Sequence, residues 1–179
     1  TAAPSVDSLE MARTPSTRVL ILAHLFGSRA SMPGIMTWAE EHNIQIIEDC
    51  AQAHGARYKG RLAGSIGDIG SFSTMSGKHH ATGPQGGAVF TRDEDLYWRI
   101  KRFADRGKPF NIDAPSNVRA GLNLNGNDLA ATVGRVQLAK LESIIAGRRR
   151  VAARIARGLT DCDGLDIGHE PEGAESVYW

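Results

Sequence analysis

The stretch Ile44-Gln45-Ile46-Ile47-Glu48-Asp49 decides the fold, because it is an apolar, β-branched run that ends in two carboxylates. An earlier apolar run at residues 19–25 stops at Gly27, and we expect it to form a strand buried on both faces. Between the two runs, Ser31-Met32-Pro33-Gly34 opens a segment with apolar residues at helical spacing. Strand, helix and strand in this order predict a parallel pair joined by a right-handed crossover.

The rest of the chain continues the alternation of strands and helices. A capping box, Thr91-Arg92-Asp93-Glu94, precedes one helical pattern, and Asn127 or Asp128 caps another. A stretch rich in Pro, Asn and Gly shows no hydrophobic periodicity, which predicts a long functional loop. We predict strands at 66–73 and 87–91, the long loop at 105–125, and helices from 127 or 128 to 145 and from 147 to 159. The sequence therefore predicts an α/β fold with a mainly parallel sheet and flanking helices.

Composition excludes several classes of protein. With 179 residues, of which 41% are hydrophobic and 23% charged, the chain can bury a globular core. The net charge of +1 provides no basic excess for binding to nucleic acid or to an anionic membrane. The arginines at 148–150 lie on a predicted helix with an apolar stripe, which indicates a solvated face or a subunit contact.

The two cysteines and the termini bear on the compartment. Cys50 and Cys162 lack metal-type spacing, so we predict no metal site and a reducing compartment. No apolar run approaches the ~20 residues of a membrane span, and the N-terminus lacks the layout of a signal peptide. The expectation is a soluble cytoplasmic protein.

Two residues that carry chemistry follow predicted strands. Open parallel sheets bind ligands beyond the carboxyl ends of their strands, and Asp49 occupies such an end. Lys78 follows the strand that ends at Ser73. A primary amine that forms a Schiff base and a carboxylate that keeps a ring nitrogen protonated are what pyridoxal phosphate (PLP) requires. The alternatives are that Asp49 caps a helix and that Lys78 is a solvated loop charge.

Seven short blocks occur in a fixed order and spacing. They are residues 17–27, Glu48-Asp49-Cys50-Ala51-Gln52-Ala53-His54-Gly55, residues 58–65, Phe72-Ser73 with Lys78, Gly83-Pro84-Gln85-Gly86-Gly87, Gly121-Leu122-Asn123, and the helix with Ala130-Ala131, Gly134 and Gln137-Leu138. Together they resemble the DegT/DnrJ/EryC1/StrS family of sugar aminotransferases. The resemblance implies part of the large domain of an aspartate-aminotransferase-type (fold type I) PLP-dependent transferase.

The resemblance also implies roles for individual residues. Lys78 matches the Schiff-base lysine, and Asp49 matches the partner of the pyridinium nitrogen. Gln52 would lie against the cofactor ring or near its phenolic oxygen, and Ser73 would bind the phosphate. Asn123 matches a residue that reaches the phosphate of the neighbouring subunit, which implies a homodimer.

The implied reaction transfers an amino group from an amino acid, glutamate or glutamine, to a keto-sugar or keto-cyclitol. Three positions depart from the family pattern. His79 stands where the family often has Asn, Pro84-Gln85 precede the paired glycines, and Asn125 replaces an expected arginine. His80 adds a second histidine beside the lysine, either close to the site or simply a polar loop residue.

Three alternatives remain. A dehydratase branch of the family has histidine in place of the lysine, so Lys78 favours transamination. A non-catalytic dimerisation or regulatory remnant of the same fold would lack the upstream phosphate-binding turn of the family. A nucleotide-binding module is disfavoured, because no complete glycine-rich fingerprint is present.

The resemblance also predicts a division of the chain. Residues 1–160 would be a partial PLP-binding large domain, and residues 161–179 the start of the C-terminal small domain. On this division the chain is either a fragment of a longer enzyme or an enzyme whose remaining parts are not shown.

Overall fold

The computed structural model describes residues 3–27, 31–160, 162–165 and 170–179. The helices are α1 (Val6–Ala12), α2 (Met32–Glu41), α3 (Glu94–Ala104), α4 (Asp128–Leu138) and α5 (Leu141–Leu159). The strands are β1 (Val19–Ala23), β2 (Gln45–Asp49), β3 (Arg57–Tyr58), β4 (Arg61–Leu62), β5 (Ile69–Ser73), β6 (Gly87–Phe90) and β7 (Ala174–Glu175).

The main sheet has the strand order β1-β2-β5-β6. β1, β2 and β5 are parallel, and β6 runs antiparallel to β5 at the edge. In register, Asp49 lies opposite Ala23 on one side and Ser71 on the other. The predicted α/β fold with a mainly parallel sheet is therefore confirmed, and the carboxyl ends of three neighbouring strands meet at one edge, which we call the carboxyl edge.

One core lies between α2 and the sheet. Leu22 and Ile46 of the strands are 1% exposed and pack with Ile35 and Trp38 of α2. The other face of β1 is open, and Ile21 is 67% exposed. The prediction that this strand is buried on both faces was therefore wrong, since the core covers only the face that carries Leu22.

A second core lies beneath the carboxyl edge. Its buried members come from the turns after β2, from α5 and from the last residues of the chain: Cys50, Ala53, Ala56, Ala63, Ile145 and Val177. A close approach of two glycines sets its width. A Cβ at Gly70 of β5 would lie 2.1 Å from the carbonyl oxygen of Gly64, so only glycine fits there.

Two helix boundaries differ from the predictions. Asp93, rather than Thr91, caps α3, because its Oδ1 accepts a hydrogen bond from the Leu96 amide at 2.9 Å. Asn127 caps α4 as predicted, but that helix ends at Leu138. The break before α5 falls there instead of before Gly147, which lies inside α5. The long loop at 105–125 contains no helix or strand, as predicted, and one isolated bridge joins Asp105 to Asn123.

The last described residues join the rest of the fold. β7 pairs antiparallel with β3, and Val177 is fully buried in the second core. The domain boundary at residue 160 stays a prediction. Within the described ranges, no helix combines the length and apolar character needed to cross a bilayer.

Candidate active site

Asp49 ends β2 at the carboxyl edge. Its backbone carbonyl accepts a hydrogen bond from the His24 amide at 3.0 Å, and its Oδ1 accepts one from the Ala51 amide at 2.9 Å. The residues that follow form turns, so the carboxylate closes a turn and caps no helix. Oδ2 has no hydrogen bond to any residue in the described part of the chain. The half-buried carboxylate therefore keeps one oxygen for a ligand.

Lys78 lies in the loop that follows β5. Its amide donates to the Met75 carbonyl at 2.9 Å, which folds the loop tightly behind the strand. The side chain is half-buried, and Nζ forms no hydrogen bond or ion pair with a described residue. Instead, Nζ lies 4.4 Å from the centroid of the Trp179 ring. The amine is thus neither neutralised by a carboxylate nor fully solvated.

Ser73 and Gln52 lie at the same edge. The Ser73 hydroxyl accepts only a long hydrogen bond, 3.4 Å, from the Met75 amide and so remains able to donate. Gln52 uses Oε1 to accept a 2.6 Å hydrogen bond from the Phe26 amide, where the backbone has a positive φ of 56°. This bond ties the segment after β1 to the turn after β2.

Asn123 lies apart from these residues, in the exposed loop at 105–125. The side-chain nitrogen of Asn125, Nδ2, donates to Asn123 Oδ1 and to Asp105 Oδ1, both at 2.8 Å. These bonds engage the side-chain oxygen of Asn123 and leave its nitrogen without a hydrogen bond to a described residue. Asn123 makes no hydrogen bond with Asp49, Gln52, Ser73 or Lys78.

A buried hydrogen-bonded pair, Glu48 and His24, lies directly behind Asp49, and the sequence did not indicate it. Glu48 Oε2 lies 2.9 Å from His24 Nε2, and both side chains are fully buried. Glu48 Oε1 accepts from the amides of Ile66 and Gly67 at 2.7 and 2.8 Å. Burial alone would raise the pKa of Glu48, but His24 and the backbone amides outweigh it and lower the pKa to about 2.

Three histidines surround the base of the Lys78 loop. The His54 ring lies 6.1 Å from that of His79 and 6.3 Å from that of His80. Among the described residues, neither ring nitrogen of the buried His54 makes a hydrogen bond of good geometry, although the Ser73 backbone lies close enough to oppose the lowering of its pKa. Burial, followed by the nearby His79, His80 and Lys78, lowers the pKa of His54 to about 4. His54 is therefore neutral at physiological pH.

His80 and His79 hold the loop to other elements through backbone carbonyls. His80 Nε2 lies 3.0 Å from the Gly134 carbonyl of α4, and His79 Nε2 lies 3.1 Å from the Tyr178 carbonyl. Burial lowers the pKa of His79. Of the two interpretations of these histidines, the geometry favours groups that support the site over polar loop residues.

One group of potential metal ligands comes together in the described ranges. Ligand atoms of His24, Glu48 and Cys50 lie within 4.8 Å of one another. Both carboxylate oxygens of Glu48 already accept hydrogen bonds, so the group forms part of the buried hydrogen-bond network.

The chemistry of these side chains fits PLP. A free carboxylate oxygen on Asp49 suits the ring nitrogen, an unpaired amine on Lys78 suits the aldehyde, and a hydroxyl on Ser73 suits the phosphate. All three groups follow neighbouring parallel strands at the carboxyl edge, where open α/β sheets bind ligands.

The chain belongs to the DegT/DnrJ/EryC1/StrS aminotransferase family, whose sequence profile matches residues 1–179. This confirms the resemblance found in the sequence. Pyridoxal phosphate is the cofactor of aminotransferases of this family.

Individual relatives are similar over nearly the whole chain. UDP-N-acetyl-3-dehydro-alpha-D-glucosamine 3-aminotransferase of Acidithiobacillus ferrooxidans is 35% identical over 98% of the chain and 47% of its own length. L-glutamine:2-deoxy-scyllo-inosose aminotransferase of Streptomyces kanamyceticus is 33% identical over 93% of the chain and 40% of its own length. The crystal structure of DesV from Streptomyces venezuelae superposes with a TM-score of 0.90 at 33% identity, over 98% of the chain and 47% of that protein. The chain thus spans about half the length of these relatives.

Proposed function

We propose that this chain is part of a PLP-dependent aminotransferase that transfers an amino group from an amino acid to a keto-sugar or keto-cyclitol. The observation that carries the proposal is the placement of Asp49 and Lys78. They follow neighbouring parallel strands at the carboxyl edge, and each keeps a functional atom without a polar partner among the described residues. Two of the three relatives named above are aminotransferases by name, one of a nucleotide-linked keto-sugar and one of a keto-cyclitol.

Each side chain has a defined task in this proposal. Asp49 Oδ2 accepts a hydrogen bond from the protonated ring nitrogen and stabilises its charge. Ser73 donates from its hydroxyl to a phosphate oxygen. Gln52 directs its amide nitrogen toward the cofactor, because its oxygen is already held by the Phe26 amide.

Lys78 anchors the cofactor and moves the proton. Bound PLP supplies a conjugated ring that accepts the electron pair released when a carbon bearing the amino nitrogen loses its proton. Once substrate has displaced it from the cofactor, neutral Lys78 Nζ takes that proton and returns it at a neighbouring atom. No carboxylate in the described ranges pairs with Nζ, which suits this role, because an ion pair would hold Nζ in its charged form.

The proposal includes a homodimer. Asn123 makes no hydrogen bond with the other site residues and lies in an exposed loop, so its amide nitrogen is available to a second subunit. We propose that it donates to the cofactor phosphate of the partner. We also propose a cytoplasmic location, which is supported by the absence of a disulfide between Cys50 and Cys162, since a reducing compartment keeps thiols reduced.

The test is amino transfer by the intact protein. The protein is incubated with PLP, glutamine or glutamate carrying a ¹⁵N label, and a panel of nucleotide-linked keto-sugars and keto-cyclitols, and products are read by mass spectrometry. We expect an amino sugar or amino cyclitol that carries the label, and none from Lys78→Ala. Loss of the acceptor's hydroxyl group without gain of nitrogen would instead indicate the dehydratase.

A further inference from the structure

Residues 174–179 form a segment, here called the C-terminal strap, that crosses the carboxyl edge. It begins at β7, where Ala174 and Glu175 pair with β3. Val177 is then fully buried in the second core, and its amide lies 3.3 Å from the Gly27 carbonyl. The Trp179 amide donates to the Phe26 carbonyl at 3.0 Å. The strap therefore has a fixed course over the end of β1.

Gly27 has a conformation that admits the strap. Its φ of 72° lies in the left-handed region, and a Cβ there would be 2.9 Å from the Tyr178 amide nitrogen. No other residue would allow the strap to pass so close to the segment after β1.

Side chains from two other elements fasten the strap. Arg148 of α5 and His79 of the lysine loop both bind the Tyr178 carbonyl, each at 3.1 Å. Arg149 donates to the Ser176 carbonyl at 2.9 Å. These contacts give a structural role to two of the α5 arginines and to the histidine beside Lys78.

The result of this fastening is a tryptophan placed on the lysine. The Trp179 ring lies 4.4 Å from Lys78 Nζ, and the His79 ring packs edge-on against it at 5.4 Å. An ammonium over an indole face is attracted to the ring quadrupole, and tryptophan is the best of the aromatic side chains for this contact. His54 and His79 are close enough to Lys78 to feel its charge, and no ion pair joins Nζ to a carboxylate of the strap.

We infer that Trp179 is a positioning residue for Lys78: its ring holds the free ammonium in the cofactor-free protein and releases it when the lysine joins the cofactor. The inference rests on the proposed function, since it assigns Lys78 a linked and an unlinked state. The contact with the ring belongs to the unlinked state alone. It therefore stabilises the protein without cofactor and opposes covalent binding of PLP.

The predicted direction of the effect of Trp179 on PLP binding can be measured. An interaction present only in the unlinked state weakens PLP binding by its own free energy. A cation–π contact at a partly exposed site accounts for about a two- to fivefold change in an equilibrium constant. Trp179→Leu is therefore expected to lower the dissociation constant of PLP by about that factor, and Trp179→Phe, which keeps an aromatic face, by less.

The experiment measures PLP binding to the intact apoprotein by equilibrium dialysis. Trp98→Leu is the matched control, because Trp98 also has a lysine over its ring, Lys101 at 5.6 Å, on a different element. It is expected to leave the PLP dissociation constant unchanged. Unfolding midpoints of the variants verify that the strap stays in place, since its anchors are Val177 and backbone hydrogen bonds.

Fluorescence gives a second readout without cofactor. The contribution of Trp179 is the difference between the apoprotein and its Trp179→Phe variant. We expect Lys78→Met to change this difference spectrum, and Lys140→Met, which removes an exposed lysine without a ring partner, to leave it unchanged.

The outcomes separate the inference from the proposed function. Weaker or unchanged PLP binding by Trp179→Leu overturns the inference, because loss of a merely structural contact loosens the site or does nothing. A Trp179 fluorescence difference spectrum that is the same in Lys78→Met as in wild type also overturns the inference. If wild-type protein binds no PLP at Lys78, the proposed function itself fails.

Discussion

Glu48 is the buried charge that holds the turns behind Asp49. Its pKa of about 2 in the folded protein lies below the ordinary 4.5, because His24 and backbone amides favour the carboxylate. Between these two pH values the unfolded chain binds the proton and the folded chain does not. The contribution of Glu48 to the free energy of unfolding is therefore fully present above about pH 4.5 and is lost as pH falls toward 2.

We predict that Glu48→Gln lowers the free energy of unfolding at pH 7 by about 3 kcal/mol. It also flattens the loss of stability below pH 4.5. Urea unfolding at a series of pH values measures both effects. Glu41→Gln, at an exposed position, is the control and is expected to change neither. A Glu48→Gln protein as stable as wild type, with the same acid profile, would contradict the assignment.

His54 makes an independent prediction about pH. Its pKa of about 4 lies below the ordinary 6.5, so the unfolded chain binds a proton between these values while the folded chain does not. The contribution of neutral His54 is complete above pH 6.5 and is lost as pH falls toward 4. NMR titration of the ring protons is expected to show a midpoint near pH 4 for the signal that disappears in His54→Gln. A midpoint near 6.5 would show that the ring is solvated.

At the scale of elements, Asp105 fastens the long loop that carries Asn123. Its carboxylate accepts from Arg106 Nη2, Lys108 Nζ and Asn125 Nδ2 at 2.8 to 2.9 Å. These hydrogen bonds hold the pKa of Asp105 well below its usual range, and the bond from Asn125 has the largest effect. Asp105 therefore joins three residues of the loop, in addition to backbone hydrogen bonds such as that from Arg106 to Leu122.

We predict that Asp105→Asn loosens the loop without disturbing the sheet. Hydrogen exchange of the Arg106, Leu122 and Leu124 amides, which bond within this region, is expected to accelerate several-fold. Amides of β1, β2 and β5 exchange as in wild type. Asp113→Asn, an exposed change in the same loop, serves as the control. Equal hydrogen-exchange protection of these loop amides in Asp105→Asn and Asp113→Asn would show that Asp105 does not fasten the loop.

The elements also show what local sequence can predict. Strands β1 and β2 and their carboxyl edge followed from apolar runs that stop at Gly27 and Asp49, because burial of a strand leaves a local pattern, whereas the two-residue strands β3, β4 and β7 were not predicted. The cap of α3 was misplaced, since Thr91 and Asp93 both suit a cap. Only the fold shows that the Thr91 hydroxyl donates instead to the Asp68 carbonyl at 2.8 Å.

The site was predictable to a similar extent. Asp49, Ser73 and Lys78 stand where strands end, and strand order alone brings them to one edge. Contacts between distant segments leave no such local pattern. Trp179 reaches Lys78 only because Gly27, His79 and Arg148 guide the strap, and none of these residues indicates that course by its neighbours in sequence.

At the scale of the whole molecule, the proposed dimer predicts complementation between subunits. Lys78→Ala lacks the anchoring amine, and Asn123→Asp sets a negative charge against the phosphate of the partner's cofactor. Each variant alone is expected to be inactive or nearly so. After mixing and subunit exchange, half of the dimers are heterodimers with one intact site, which restores about a quarter of wild-type activity. No recovery after verified exchange would place Asn123 outside a shared site.

The measurement that tests the central claim most directly is borohydride reduction of the intact protein with PLP, followed by peptide mapping. We expect a pyridoxyl group on Lys78 and not on Lys59, Lys101, Lys108 or Lys140, and weaker loading in Asp49→Asn, which cannot hold the ring nitrogen protonated. Absence of label, or label confined to other lysines, would contradict the claim that the carboxyl edge is a PLP site.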